Sequence, residues 1–181
     1  MNYGKINPND IANGVGVRVT LFVSGCTHHC KDCFNSETWD FNYGSPFTEA
    51  TQEHILKLLE PGYINGLSLL GGEPMEPSNQ EALLPFLKKV KENFPQKDIW
   101  CYSGYLFDTE IKKGRAHTHC TDEILSCIDV LVDGRFVAEK KNIMLKFKLW
   151  FKQNKLCRHC CVTCKYFKDC IEEMRNANEF S

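Results

Sequence analysis

Three cysteines fall within eight residues in Cys26-Thr27-His28-His29-Cys30-Lys31-Asp32-Cys33, a C-x3-C-x2-C pattern. Thiolates are soft donors that select iron–sulfur clusters, zinc or Cu(I). Three so close together face one centre only if the backbone wraps around it. Three sulfurs occupy three corners of a cubane four-iron four-sulfur cluster and leave the fourth iron open to a substrate. A structural site would be closed by a fourth ligand. Zinc held by the three cysteines with His28 or His29 is therefore the competing reading of the same residues. A second motif, Gly71-Gly72-Glu73-Pro74, follows the apolar run Leu67 to Leu70. Glycines at the end of a strand let a ligand approach the backbone closely, and carbonyls there accept hydrogen bonds from a ligand ammonium group. Alone, a Gly-Gly turn before a helix is usually only a turn.

The elements that must position these motifs alternate in period. Val15 to Val23 alternates, is rich in β-branched residues and ends at Gly25, so it predicts a strand leading into the cysteine loop. Phe47 to Leu59 has helical spacing, with Thr48 or Ser45 as N-cap and Pro61-Gly62 as stop. Leu67 to Leu70 reads as a strand and about Asn79 to Asn93 as a helix. Asp98 to Tyr102 is a strand, Thr121 to Cys127 a short helix capped by Thr121, and Ile128 to Val132 a last strand. Strand, loop and helix in repetition imply an α/β fold with mostly parallel strands. The loops at Gly25–Cys33, Gly71–Pro74, Ser103–Gly104 and Asp133–Gly134 should then converge at the carboxyl ends of the strands, where such folds carry their chemistry. The chain is too short for eight β/α units, so a partial, open (β/α) barrel is expected.

Composition narrows the class further. The 181 residues are 43% hydrophobic and 25% charged, globular values, with a net charge of −1. No basic field draws the chain to nucleic acid, and no apolar run approaches the roughly 20 residues that span a bilayer. The start, Met1-Asn2-Tyr3-Gly4-Lys5, lacks the apolar core of a signal peptide, so a cytoplasmic location is expected. In a reducing compartment, clustering among 11 cysteines points to metal or redox chemistry before disulfides.

Together the two motifs resemble the radical S-adenosylmethionine superfamily. Five further segments narrow the resemblance: Asn13-Gly14-x-Gly16-x-Arg18, Leu21-Phe22-Val23-Ser24-Gly25-Cys26, Phe34-Asn35-x-x-Thr38-Trp39, Trp100-x-Tyr102-x-Gly104-Tyr105 and Val130-Leu131-Val132-Asp133-Gly134-Arg135-Phe136. From about Met1 to Phe147 these are similar, in order, to the activating enzymes of anaerobic (class III) ribonucleoside-triphosphate reductases. The resemblance implies a barrel of the radical S-adenosylmethionine type. It implies one 4Fe-4S cluster held by Cys26, Cys30 and Cys33, with S-adenosylmethionine chelating the open iron. It further implies an electron from a low-potential donor such as flavodoxin, reductive cleavage to a 5′-deoxyadenosyl radical, and formation of a glycyl radical on the large subunit of the reductase. Gly72 should face the methionyl amino group, with Gly71 and Glu73 shaping the turn, while Asp32 and Phe34 flank Cys33 where relatives contact adenine. Superfamily members often carry an aromatic residue immediately before the third cysteine. Asp32 stands there in this chain, which leaves Phe34 as the stacking candidate. No side chain is assigned a catalytic role beyond holding these groups. An activase for another glycyl-radical enzyme and a non-catalytic zinc-binding interaction module are the rival functions.

The remaining singled-out residues are expected to be structural. Arg18 reads as a structural ion-pair partner before a contact for the reductase, Trp100 and Tyr102 as strand packing before ligand contacts, and Asp133-Gly134 as a structural turn. Cys101 and Cys127 read as small hydrophobes, Cys120 needs no special role, and for His117 and His119 beside it a mobile loop is expected before a stray metal site. The end of the chain departs from the family. Between Glu139 and Cys170 nine lysines or arginines face two acids, and the strand–helix rhythm is not evident. Residues 1–147 are thus expected to be the radical S-adenosylmethionine domain and 148–181 an atypical tail. Cys157, Cys160, Cys161, Cys164 and Cys170 supply enough thiols for zinc or an auxiliary cluster. A shifted reading frame is the other reading. Suitable codons for Leu149 to Arg158, read one base later, restore the Gly-Ser-Ser that the family carries there. In that case a strand should be missing and the core weakened.

Overall fold

A computed structural model describes residues 1–135 and 148–151. Seven strands form one sheet: β1 (Asn2–Asp10), β2 (Val17–Val23), β3 (Ser45–Pro46), β4 (Ile64–Gly71), β5 (Asp98–Ser103), β6 (Val130–Asp133) and β7 (Lys148–Phe151). Their order across the sheet is β3-β1-β2-β4-β5-β6-β7. The central neighbours β2, β4, β5 and β6 are parallel, and the outer pairings are antiparallel. Three helices make the crossovers that parallel neighbours require: α1 (Glu49–Leu59), α2 (Pro77–Asn93) and α3 (Thr121–Cys127). The sheet is mixed and does not close on itself.

The strands are nearly continuous apolar runs because parallel strands are covered on both faces. Alternation decides which face each side chain serves. Val19, Leu21, Val23, Leu67, Leu69, Ile99, Cys101 and Leu131 join Ile55, Leu59, Leu83, Phe86, Leu87 and Val90 from the helices in one core. Trp100, Val130 and Val132, with Tyr102 against them, form a smaller cluster from the intervening positions. Trp100 and Tyr102 therefore pack as expected, and Cys101 and Cys127 are buried in the main core. Helix α1 starts where Thr48 Oγ1 accepts from the Thr51 amide, and α2 starts at Pro77, whose missing N–H is not needed in a first turn.

Arg18 ties the amino ends of the central strands together. It is 0% exposed. Its Nε donates to Ser68 Oγ at 2.7 Å, and its Nη atoms donate to the carbonyls of Val15, Leu67 and Asp98. An ion pair to Asp98 at 2.6 Å and the face of Trp100 complete the set. A Cβ at position 66 would lie 2.0 Å from Asp98 O, so the chain passes there only as glycine.

Several expectations need correction. The strand β1 was not expected, because Gly4, Lys5, Pro8 and Asn9 hide its weak alternation. Thr121 is the first residue of α3 and not its cap; Cys120 occupies that position, and Thr121 Oγ1 accepts from Thr118 N behind it. Cys120 is buried in the core, Thr121 with it, and their loop is hydrogen-bonded to Gln80 of α2. One strand is described beyond Glu139. Lys148–Phe151 pairs antiparallel with Val130–Asp133 at the sheet edge, so the expected boundary after residue 147 falls directly before a strand of the same sheet. The five cysteines from Cys157 to Cys170 lie outside the described residues.

Candidate functional site

The loops singled out from sequence meet at the carboxyl ends of the parallel strands. β2 runs into Gly25, whose φ of 94° favours glycine, and a Cβ there would strike the Phe41 ring at 2.3 Å. The amides of Gly25 and Cys26 donate to Thr38 O and Trp39 O, so the 3₁₀ turn Ser36–Trp39 returns against the start of the cysteine loop. Between these anchors His29 and Asp32 hold φ values of 48° and 56°. Two left-handed non-glycine residues cost about 1–3 kcal/mol each and curl the backbone so that Cys26, Cys30 and Cys33 lie on one tight loop. Cys26 is buried and the other two are half-buried, all three as free thiols.

The loop already directs backbone donors at sulfur. Asn35 N lies 3.4 Å from Cys33 Sγ, and the amides of His28 and His29 serve Cys26. Burial nevertheless pushes the Cys26 thiol up to about 11, with the charges of Glu73 and Glu76 acting the same way against those amides. A cationic centre must therefore displace the proton when it binds.

The glycine turn packs directly on this loop. Gly72 N donates to Val23 O at 2.7 Å and Glu73 N to Gly25 O at 2.9 Å. A Cβ on Gly72 would lie 2.6 Å from Gly25 O and 2.8 Å from Thr38 O, contacts no side chain tolerates. Gly71, at φ 110°, approaches the β2 backbone in the same way. The requirement for glycine is thus a close approach of two backbones.

Glu73, 1% exposed, is the hub beneath the turn. Its Oε1 accepts from Met75 N and Ser103 Oγ, both at 2.8 Å. Its Oε2 accepts from Gly104 N at 2.6 Å and pairs with His28 Nε2 at 3.1 Å. The other ring nitrogen, Nδ1, faces Arg115 Nη2 at 3.1 Å. Arg115 is only a donor, so Nδ1 accepts and Nε2 carries the hydrogen that Glu73 receives. Both nitrogens of His28 are engaged, and His29 stacks on Trp39 at 4.7 Å. The zinc reading, which needs one of these rings as fourth ligand, finds His28 already held by protein partners. Among the described residues no group of three or more His, Cys, Asp or Glu side chains is arranged around a single metal ion.

A second carboxylate closes the ring of contacts. Glu76 Oε1 accepts from Thr27 N and Thr27 Oγ1 at 2.8 and 2.6 Å. Thr27 Oγ1 lies 3.3 Å from the Tyr105 hydroxyl, and Tyr105 packs edge-on against His28 with Arg115 over its face. Asn79 Nδ2 donates to Ser24 O and Glu73 O. At the far side Gly134 N donates to Ser103 O and Asp133 Oδ2 receives Phe107 N, in keeping with a structural turn. Asp32 and Phe34 stand exposed on the rim, Phe34 at 65%.

Sequence reasoning brought together the cysteines, Gly72 and Glu73 and expected the Ser103–Gly104 loop beside them, but gave His28 a role only in the zinc reading and missed Glu76, Asn79 and Arg115. Glu76 sits three residues beyond Glu73, and a second buried acid at a strand end was its available signal. Arg115 gave none. The donor set itself, three free thiols with backbone amides turned toward Cys26 and Cys33 and with the His28 ring already held by Glu73 and Arg115, fits a cluster held at three corners.

These loops have the character of a thiolate-held cluster site, and the family model described as a 4Fe-4S single cluster domain matches residues 12–156. Proteins named anaerobic ribonucleoside-triphosphate reductase-activating protein are similar over most of their length. That of Haemophilus influenzae is 43% identical over 150 residues, covering 82% of this chain and 92% of the relative. That of Pasteurella multocida is 44% identical with the same coverage, and that of Enterobacteria phage T4 is 42% identical over 83% of this chain and 88% of its own. The chain belongs to the family of anaerobic ribonucleoside-triphosphate reductase-activating proteins.

Proposed function

We propose that the protein activates an anaerobic ribonucleoside-triphosphate reductase by installing a glycyl radical on the reductase large subunit. The observation that carries this reading is the backbone-to-backbone seam between the cysteine loop and the glycine turn, Gly72 N to Val23 O and Glu73 N to Gly25 O. Bound beside that seam, a 4Fe-4S cluster supplies a low-potential electron and S-adenosylmethionine supplies the precursor of the radical that takes hydrogen from glycine. Cys26, Cys30 and Cys33 hold the cluster in this reading. Gly72, whose missing side chain lets the turn pack on the cysteine loop, faces the methionyl ammonium group in this reading, and Glu73 fixes the turn from beneath. Phe34 covers the adenine, with Asp32 shaping the backbone before Cys33. The protein's work is to orient these groups and keep water from them.

The open sheet is read as a partial (β/α) barrel of the radical S-adenosylmethionine type, left open so that a loop of the partner reductase enters. Its unit comprises residues 1–147 and the paired strand Lys148–Phe151. The electron donor is a low-potential protein such as flavodoxin, and the setting is the cytoplasm, without nucleic acid or membrane. Among the described residues no helix is long and apolar enough to cross a bilayer.

Anaerobic reconstitution with iron and sulfide tests this. About four irons per chain, release of 5′-deoxyadenosine from S-adenosylmethionine under reductant, and a glycyl radical signal on added reductase are expected. A colourless protein that retains zinc and cleaves nothing would refute it. Cys30→Ala should abolish deoxyadenosine release, and retained turnover would remove Cys30 from the ligand set.

A further inference from the structure

The cysteine loop and the glycine turn come from strands that are neighbours, but the backbone bonds of their seam, at Val23 and Gly25, and the Asn79 bridge between Ser24 O and Glu73 O all lie before the first cysteine. Beyond Cys26 the loop needs another tether to keep its distance from the turn. Two side chains of that loop reach back to the second motif. Thr27 meets Glu76, and His28 meets Glu73. The His28 side chain is 2% exposed and that of Glu73 1%, so this second contact is made away from water, where a hydrogen bond to a charged group is strongest.

We propose that His28 is a positioning residue, a strut that sets the spacing between the cluster-bearing loop and the Gly71–Gly72 turn and thereby the fit of S-adenosylmethionine across the two. The inference rests on the function proposed above. A ligand that chelates one iron and also meets the turn must span a fixed gap. Nothing in such a ligand adjusts to a loop that drifts. His28 reaches three separate segments: Glu73 follows β4, Arg115 lies in the loop before α3, and the Tyr105 ring against which His28 packs follows β5. Because Nδ1 accepts from Arg115, the Nε2 hydrogen is directed at Glu73 and the ring cannot turn without losing both bonds. Glu73 is in turn immobilised by Met75 N, Ser103 Oγ and Gly104 N. The strut therefore stands on a fixed base.

The test uses full-length protein reconstituted anaerobically, with His28→Ala, His28→Asn and His28→Gln compared. A glutamine amide nitrogen reaches the place of Nε2 and restores the bond to Glu73, whereas asparagine mimics only Nδ1. All three should load about four irons per chain. Affinity for S-adenosylmethionine, measured by calorimetry, should fall roughly ten- to a hundredfold in the Ala and Asn variants, as expected for a lost hydrogen bond to a buried charge, and recover in the Gln variant. The change that S-adenosylmethionine produces in the electron paramagnetic resonance spectrum of the reduced cluster should be lost and regained in parallel. Amide exchange in cluster-free protein should quicken over residues 28–35 in Ala and Asn but not in Gln.

Equal affinity in all four proteins would overturn the proposal and leave the function standing. Loss of iron from His28→Ala, if also seen in His28→Gln, would overturn it too, by making the ring part of what holds the cluster. Wild-type protein that loads iron but binds no S-adenosylmethionine would overturn the strut together with the function on which it rests.

Discussion

The two ends of the parallel strands each bury a charged side chain, and the two are used differently. At the amino ends Arg18 donates to a hydroxyl, three backbone carbonyls and Asp98, all on strands or on the loop entering β2. At the carboxyl ends Glu73 accepts from two loop amides, Ser103 Oγ and His28, in segments that lack regular structure apart from the last residue of β5. Arg18 staples strands that would pair anyway through their ladders. Glu73 staples loops that have no ladder to fall back on. A buried charge at one end is therefore a matter of stability, and at the other it is a matter of where the site's backbone stands.

Removing Glu73 should have the largest effect. Glu73→Ala leaves two amides, a hydroxyl and an imidazole without their acceptor, with a loss of about 4 kcal/mol from charge-assisted bonds in a closed environment. Urea unfolding under anaerobic conditions should show it as a lower midpoint, and the folded fraction should bind S-adenosylmethionine at least tenfold more weakly. If stability fell while affinity held, the carboxyl end would be no different in kind from the amino end.

Arg18→Met is the complementary case. The methionine keeps much of the apolar stem but strands the carbonyls of Leu67 and Asp98, so about 3 kcal/mol should be lost. Part of the Asp98 side chain, 41% exposed, already faces water and limits the damage, although the oxygen that met Arg18 is buried. Iron content and affinity for S-adenosylmethionine in the folded protein should match wild type. A drop in affinity without a drop in stability would reverse the roles assigned to the two ends.

Gly72→Ala probes the seam itself. The added methyl group meets two carbonyl oxygens closer than 3 Å, both on backbone that is hydrogen-bonded in place. Separating the loops by a few tenths of an ångström should cost about 1–2 kcal/mol of stability. Affinity for S-adenosylmethionine should fall at least tenfold while the cysteines, whose own loop is unchanged, still load iron. Loss of iron with unchanged affinity in the residual holoenzyme would place the strain on the wrong side of the seam.

What was legible in the sequence follows the same division. The central strands and α1 and α2 declared themselves because their burial is periodic and continuous. The cysteines and Gly71-Gly72 were legible because their chemistry is contiguous in the chain. The strand β1 was not, since its pairing with β2 is irregular, with register shifts between Tyr3 and Lys5 and between Asn7 and Asp10 that break any alternation. Lys148–Phe151 was hidden by a composition that reads as a solvated tail, yet backbone pairing with β6 is indifferent to that charge. The hub at Glu73 joins partners 30, 31 and 45 residues away. No local pattern encodes that arrangement, and the glutamate looked like one more turn residue.

The smallest effect belongs to the loop that leads from β1 into β2, and it separates charge from packing at the amino end. Asp10 is buried there, its two oxygens accepting from Ala12 N at 2.8 Å and Asn13 Nδ2 at 2.7 Å. Burial pushes its carboxyl up, but these bonds outweigh it and hold the group below its ordinary 3.8. A carboxylate whose folded value is depressed contributes stability that is fully present above the unfolded value and is lost as pH falls through the folded one. Asp10→Ala should therefore be less stable than wild type by about 1 kcal/mol at neutral pH. The gap should persist down to about pH 4 and close below it, as the wild-type carboxyl takes up its proton. Paired urea titrations from neutral pH into acid read this directly. A gap that stayed constant into acid would mean that Asp10 acts through its shape and not its charge, and the loop would then be held by Ser68 Oγ donating to Asn13 O, on the same side chain that receives Arg18.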